Sequence, residues 1–189
     1  MRLDNPRISA ISNADLTSEQ RLEIDPLTNR NGMVLNIFRT LVHSPEALRA
    51  FMAWGGYVLS DENGLPPRER ELVILRIGFR CRSGYEFAQH TRVGLRCGVT
   101  ENEIELIKGD PEHSHWTAAE RSLLVAADEL HDDHFVADTT WAELSRHFTE
   151  KQRMDVVFTV GQYTQVSMIL NTFGVQLDDG QVLDPDLRG

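Results

Sequence analysis

The amino-acid sequence predicts an all-α fold of eight or nine helices. Three observations support this class: apolar residues recur every three or four positions, helix-start signals are frequent, and the alternating pattern typical of strands is almost absent. The chain has 189 residues, of which 41% are hydrophobic and 25% charged. This length suits one well-packed core, and no repeat or linker interrupts the sequence, so we expect a single domain over residues 1–189.

The first half of the chain contains three predicted helices. Residues 17–20 (TSEQ) form a capping box before a short helix. Residues 31–43 place apolar side chains at helical spacing, and Ser44 followed by Pro45 is a typical start for a helix reaching Leu59. Residues 60–66 contain Gly, Asn and Pro and are predicted to form a loop.

The second half contains the remaining helices. Residues 66–105 hold the central motif, a pair of consecutive helices, and residues 100–103 (TENE) start another. Further helices are predicted from Thr117 to about His131, from Asp138 to about Phe148, and onward from residues 149–152 (TEKQ).

Around a core of residues 31–177 we expect two less regular segments. Residues 1–30 are an N-terminal extension that we expect to cover part of any pocket. Residues 178–189 are rich in Asp and Gly, and we expect a disordered or loosely held tail there.

Three ionisable side chains interrupt the apolar faces of the central helix pair. In the first helix, from about Pro67 to Arg80, Glu71 falls within the apolar face. In the second, Glu86 and His90 are four residues apart and therefore share a face beside apolar neighbours. Burying such groups without partners is unfavourable, so we expect the three to pair in one site. A purely structural network that ties the helices together is the alternative.

The polar stripe of the second helix, which is predicted to run from about Arg82 to Cys97, lies on its other side. Tyr85, Gln89 and Arg92 belong to this stripe.

The motif resembles the carboxymuconolactone decarboxylase family, which shares its fold with alkylhydroperoxidase D. The resemblance rests on Arg70-Glu71-Leu72, Tyr85-Glu86-Phe87, His90, Arg92 and Gly98-Val99-Thr100-Glu101. It is specific between Pro66 and Ile104 and fainter over residues 31–60 and 118–174. The resemblance implies an alkylhydroperoxidase D-like helical bundle that assembles into homo-oligomers, as dimers, trimers or hexamers.

The redox branch of this fold carries a Cys-x-x-Cys pair ahead of the motif His. Here the two corresponding positions hold Ser83 and Glu86, and the cysteines of the chain are Cys81 and Cys97. A dithiol peroxidase cycle therefore lacks its nucleophile and its resolving thiol. We keep an alkylhydroperoxidase-like peroxidase only as the least favoured function.

The resemblance instead implies cofactor-independent decarboxylation, or a related proton transfer, on a small carboxylated lactone or similar acid. A near-neutral pKa would let His90 give or take the proton. Glu86 would orient the imidazole or relay the proton, and Glu71 would hold the pair or raise the basicity of His90. Arg92 and Tyr85 would bind the substrate. We expect neither a metal nor an organic cofactor, and a non-catalytic oligomeric binding or scaffold protein is the alternative.

Charge and composition limit the partners. The formal net charge is −10 and no basic cluster is present, so nucleic acid is not an expected partner. The N-terminus lacks a secretory pattern, which indicates a cytoplasmic protein. Residues 156–177 are free of charge, but Gln162, Gln165 and Asn171 indicate a buried helix at a subunit interface and not a membrane span.

Overall fold

The computed structural model describes residues 1–188, and these form nine α-helices and two short 3-10 helices without a β-strand. The all-α prediction is therefore confirmed. The helices are α1 (Ser18–Ile24), α2 (Asn36–Leu41), α3 (Pro45–Leu59), α4 (Pro67–Arg80), α5 (Gly84–Arg96), α6 (Glu101–Leu106), α7 (Ala118–Asp132), α8 (Asp138–His147) and α9 (Glu150–Phe173).

Helix α4 is the centre of the molecule. It packs against α5, α7 and α9, and every residue from Arg70 to Gly78 is buried. Helical spacing groups Arg76 with Glu69 and Arg80 on a charged side of α4, which predicts that Arg76 is exposed, and this prediction was wrong. Arg76 is buried because its guanidinium donates hydrogen bonds to the carboxylate of Asp128 and to the carbonyl of Gly109.

The predicted helix starts are confirmed where a capping box is present. Thr17, Thr100, Thr117 and Thr149 each accept a hydrogen bond from the third helical residue, whose own side chain accepts one from the threonine backbone. Each box satisfies two N–H groups that the helix leaves unpaired, which explains why this local signal identifies helix starts.

The helix predicted over residues 31–43 is shorter than expected, because α2 begins only at Asn36. The side-chain oxygen of Asn29 accepts hydrogen bonds from the backbone N–H groups of Asn31 and Met33, and Gly32 takes a positive φ of 76°. These contacts hold a turn where the periodicity indicated helix.

The C-terminal tail is packed against the domain, so the expectation of a loosely held tail from residue 178 was wrong. Leu187 is buried beside Phe87, and the ammonium group of Lys108 lies 2.6 Å from a carboxylate oxygen of Asp184. Asp178 accepts hydrogen bonds from α2 and α5. Acidic residues that suggested disorder are thus anchors.

Helix α9 accounts for most of the charge-free run over residues 156–177. One side of it is buried against the core, while Met154 and Met168 on other sides are largely exposed. Among residues 1–188, none of the helices combines the length and apolarity that crossing a membrane requires.

Candidate functional site

The predicted site residues meet between α4 and α5. Glu71 lies on α4, and Glu86 and His90 lie one turn apart on α5. Their exposed fractions are 1%, 4% and 8%. We call these three residues the interior cluster.

One imidazole joins both carboxylates of the interior cluster. The Nδ1 atom of His90 lies 2.7 Å from Oε2 of Glu71, and its Nε2 atom lies 3.0 Å from Oε1 of Glu86. Carboxylates only accept hydrogen bonds, so both contacts are satisfied when both ring nitrogens carry protons. The geometry therefore favours the imidazolium form.

The charge state of His90 differs from the sequence-based expectation of a near-neutral pKa. Burial acts to lower this pKa, but the charge of Glu86 and the hydrogen bonds to Glu71 and Glu86 outweigh burial and raise the pKa to about 10. His90 is thus an imidazolium at neutral pH, with a proton on each ring nitrogen.

A phenol ring from α9 covers the imidazole. The rings of Tyr163 and His90 meet edge to face, with centroids 4.9 Å apart at 82°. Burial, followed by the negative charges of Glu86 and Glu71, raises the pKa of Tyr163 well above that of a free phenol. Its hydroxyl therefore stays protonated.

The interior cluster borders a cavity of about 280 Å³ between α2, α3, α5 and α9. His90 and Glu86 line the cavity, whereas Glu71 lies behind His90 and is absent from the lining. The apolar lining residues are Leu35, Ile37, Phe38, Phe51, Met52, Leu59, Val93 and Val166, and Tyr85, Gln89, Gln162 and Tyr163 add polar groups. The site is a mostly apolar chamber with its ionisable pair on one wall.

The structure moves Tyr85 from the predicted polar stripe to the cavity wall. Tyr85 is buried, and its hydroxyl donates a 2.5 Å hydrogen bond to Asp178, which also accepts one from Gln89. Burial and the charge of Asp178 raise the pKa of Tyr85, so this phenol is also protonated. The tail supplies the partner that the sequence pattern did not reveal.

Arg92 does not meet the interior cluster. It is exposed and lines a separate groove of about 560 Å³ between α5, α6 and the tail. Two helical positions separate Arg92 from His90, which is about 200° around the helix. The predicted role of Arg92 as a substrate ligand in this cavity is therefore not supported.

The positions of the missing thiol pair hold no substitute nucleophile pair. Ser83 is fully buried, and its hydroxyl has no hydrogen-bond partner within residues 1–188. Cys81 and Cys97 are free cysteines, and burial raises the pKa of both thiols. The described part of the chain also contains no group of three or more His, Cys, Asp or Glu side chains placed to hold a metal ion.

Sequence reasoning missed three residues of this region: Gln162, Tyr163 and Asp178. The amides in the charge-free run were noted only as evidence against a membrane span. A glutamine in a helix that is otherwise apolar was the available signal for Gln162. Asp178 gave no signal, since its role depends on the fold of the tail.

Known proteins share this fold. The structure is similar to that of an uncharacterized peroxidase-related protein with an alkylhydroperoxidase AhpD core from Ralstonia eutropha JMP134, at 22% identity and a TM-score of 0.80, covering 92% of this chain and 93% of that one. A protein of unknown function from Agrobacterium tumefaciens is similar at 25% identity and a TM-score of 0.68, covering 73% of this chain and 94% of that one.

The debrominase Bmp8 in complex with 2,3,4-tribromopyrrole is similar at 15% identity and a TM-score of 0.72, covering 93% of this chain and 94% of that one. None of the curated proteins matches the chain.

The family comparison covers the site itself. Residues 45–129, from the start of α3 to near the end of α7, match the model of the carboxymuconolactone decarboxylase family. The resemblance seen in the motif is thus confirmed: the segment that holds Glu71, Glu86 and His90 matches the carboxymuconolactone decarboxylase family, and the chain has an alkylhydroperoxidase D-like fold.

Proposed function

We propose that the chain is an enzyme that transfers a proton on a small, mostly apolar ring compound. The observation that carries this proposal is the close pair of His90 and Glu86, whose Nε2 and Oε1 atoms lie 3.0 Å apart on the wall of a cavity of about 280 Å³. An acid and a base within 3.0 Å of each other, facing a chamber of substrate size, are what such a reaction requires.

Each member of the interior cluster has a role in this proposal. Glu86 takes a proton from a carbon next to a carbonyl group. His90, as the imidazolium, delivers a proton to the product position or to the developing oxygen anion. The pair then restores its protons by exchange between the two side chains. Glu71 holds Nδ1 of His90 and so keeps Nε2 directed toward Glu86 and the cavity.

The charge of the cavity lining favours a neutral substrate over an acid. The lining residues include no Lys or Arg side chain, and His90 is already shared between two carboxylates. A bound carboxylate would therefore meet the negative charge of Glu86 in a medium that screens it weakly. A lactone or cyclic ketone isomerised by proton transfer fits this lining better.

Decarboxylation of a carboxylated lactone is the second candidate, and the family match over residues 45–129 favours it. In this reaction the carboxylate leaves as carbon dioxide and its bonding electrons pass to the adjacent carbon and the lactone carbonyl. His90 then supplies the proton that forms the new C–H bond. The apolar walls would destabilise the localised charge of the carboxylate more than the delocalised charge of the product anion, which favours the loss of carbon dioxide.

Hydrogen–deuterium exchange in D₂O tests the proposal without requiring net product. NMR would follow deuterium incorporation next to the carbonyl of lactones and cyclic ketones, with release of labelled carbon dioxide measured for their carboxylated analogues. We expect exchange with the parent and a loss of about 100-fold or more in His90→Gln and Glu86→Gln. The surface variant His115→Gln should match the parent.

Two results would point elsewhere. Full exchange in His90→Gln would remove the assigned acid. Binding of ring compounds with neither exchange nor carbon dioxide release would favour the non-catalytic binding protein. Peroxide turnover stays the least favoured function, because Ser83 and Glu86 occupy the positions of the thiol pair.

We also propose that the chain assembles with copies of itself through α9. The exposed side chains of Met154, Val157 and Met168 support this, because they fall on one face of α9 and exposed apolar patches mark interaction sites. Light scattering of the purified protein would give the number of subunits.

A further inference from the structure

We infer that Gln162 is a ligand-binding residue that selects neutral ring compounds carrying a single oxygen function. The inference rests on the proposed function in taking the same cavity as the substrate site. It adds a substrate class and a residue that lies outside the motif over residues 66–105.

The first observation is an amide oxygen without a partner. Gln162 lies on α9, is 4% exposed and lines the cavity. Its Oε1 atom is buried and has no hydrogen-bond partner within the described chain. Buried amide oxygens almost always have a partner, so an unpaired one at a cavity wall indicates a position that a ligand completes.

The second observation is that the facing helix makes room for this amide. Gly55 on α3 lines the same cavity, and a Cβ atom on residue 55 would lie 3.2 Å from Nε2 of Gln162. That separation is tighter than an ordinary contact, so a larger residue would displace the amide. Glycine destabilises a helix interior, but at position 55 it leaves the space that the Gln162 amide occupies.

The third observation is the position of Gln162 relative to the acid–base pair. The next residue, Tyr163, places its ring 4.9 Å from that of His90, and both residues line the cavity with Glu86. The other amide of the lining, that of Gln89, already donates to Asp178. Gln162 is therefore the lining amide whose side-chain oxygen still lacks a hydrogen-bond partner beside the reactive pair.

The chemistry of an amide defines the ligand class. A carboxamide is uncharged and both donates and accepts hydrogen bonds, so it matches a carbonyl or hydroxyl oxygen. The remaining lining is mostly apolar, and the carboxylate of Glu86 opposes anions. A cyclic ketone, lactone or alcohol would place its oxygen at Gln162 and its adjacent carbon toward His90 and Glu86.

Fluorine NMR with three matched probes tests this inference by binding alone. The probes are 4,4-difluorocyclohexanone, its carboxylate analogue 4,4-difluorocyclohexanecarboxylate, and 1,1-difluorocyclohexane, which has no oxygen. We expect the parent to bind the ketone at least about 10-fold more tightly than the carboxylate. Gln162→Leu should weaken ketone binding about 3- to 10-fold, the effect of one lost hydrogen bond, and leave binding of the hydrocarbon equal or tighter.

Matched variants separate binding from folding. Gln165→Leu changes an exposed glutamine on the same helix and should bind all probes like the parent. Gly55→Ala should weaken ketone binding by pushing on the Gln162 amide, whereas Gly161→Ala, whose Cβ would meet nothing within 4 Å, should not. Because the hydrocarbon serves as an internal control, a misfolded Gln162 variant would lose all probes together.

Two results with Gln162→Leu would overturn the inference: unchanged affinity for the ketone, or an equal loss of affinity for the ketone and the hydrocarbon while the thermal unfolding transition stays intact. Two results with the parent would also overturn it: binding of the carboxylate as tight as that of the ketone, or no binding of any probe at millimolar concentration. If deuterium exchange depends on His90 but Gln162→Leu binds the ketone as tightly as the parent, the proposed function would stand and this inference would fail. Ketone selectivity that depends on Gln162 without exchange would leave only the binding site.

Discussion

The interior cluster and a second group of ionisable residues use the same chemistry with different results. This second group, the surface cluster, consists of Arg68, Glu103, His115 and Glu120. Each cluster contains a histidine that contacts a glutamate, and the contact between His115 and Glu103 is 3.0 Å long, like that between His90 and Glu86. Distances between side chains therefore do not distinguish them.

What distinguishes the two clusters is how their carboxylates are used. Glu103 and Glu120 complete capping boxes, and both pair with the guanidinium of Arg68. Within residues 1–188, the carboxylates of Glu71 and Glu86 form ion pairs only with His90. Glutamates fixed by backbone and arginine contacts are structural, whereas a pair that shares one imidazole at a cavity can exchange protons.

The largest expected difference between the clusters is in catalysis. His90→Gln should lower deuterium exchange or turnover about 100-fold or more, because general acid–base groups contribute factors of this size. His115→Gln should remain within about 2-fold of the parent, since its 38% exposed side chain lies outside the cavity. Equal losses in the two variants would erase the distinction.

The next difference is in stability. Glu71→Ala removes the acceptor for Nδ1 of the buried His90 imidazolium. We therefore expect a loss of about 3–5 kcal/mol in the free energy of unfolding. Glu103→Ala removes a cap and partly exposed ion pairs, and we expect a loss of about 1–2 kcal/mol. Urea denaturation measures both, and the reverse order would show that the surface cluster holds the fold more strongly.

The two clusters should also respond to opposite ends of the pH scale. The pKa of His90 is raised to about 10, so its contribution to stability is complete below the unfolded value of about 6.5 and is lost as pH rises through 10. Each pKa unit corresponds to about 1.4 kcal/mol. Hydrogen bonds from Arg68, followed by burial in the opposite direction, hold the pKa of Glu103 well below its usual range. Its contribution is therefore present above about pH 4.5 and is lost in acid.

Unfolding curves between pH 3 and pH 10 would check this, with His90→Gln and Glu103→Gln as the matched variants. His90→Gln should reduce the fall in the free energy of unfolding at alkaline pH. The contribution of the cysteines, which the parent and the variant share, is subtracted first. Glu103→Gln should flatten only the acid side. A His90 variant that keeps the full alkaline slope would contradict the imidazolium assignment.

The smallest expected effects concern two helical glycines. Gly56 on α3 lines the cavity beside Gly55, whereas Gly161 lies on α9. A Cβ atom added at either glycine would meet nothing within 4 Å. Alanine at either position should raise the free energy of unfolding by about 0.5–1 kcal/mol through helix propensity. Only Gly56→Ala should raise the KM for a ring substrate, because Gly56 lines the cavity and Gly161 does not. Thermal denaturation and steady-state kinetics give both values.

Local patterns were enough to predict the helices and the interior cluster. Capping boxes fix helix starts within four residues, and the four-residue spacing of Glu86 and His90 places them on one face whatever surrounds the helix. Glu71 could be added because a carboxylate in an apolar stripe requires a partner.

The remaining features depend on distances between segments far apart in the chain. The raised pKa of His90 follows from two carboxylates within 3.0 Å, which sequence spacing does not give. Gln162 and Asp178 reach the cavity only through the packing of α9 and the tail. Arg92 was assigned to the substrate by resemblance, although its helical position already directed it outward.

The clamp formed by Asp178 links local unfolding of the tail to the state of the cavity. The Asp178 carboxylate accepts hydrogen bonds from the backbone N–H of Asn36, the hydroxyl of Tyr85 and the side-chain amide of Gln89. Whenever the segment around residue 178 detaches, all three are released in one event, and two cavity-lining side chains become free to change rotamer. Amide hydrogen exchange at Asn36 therefore reports how often the chamber wall opens, and a ligand that holds the wall closed should slow it.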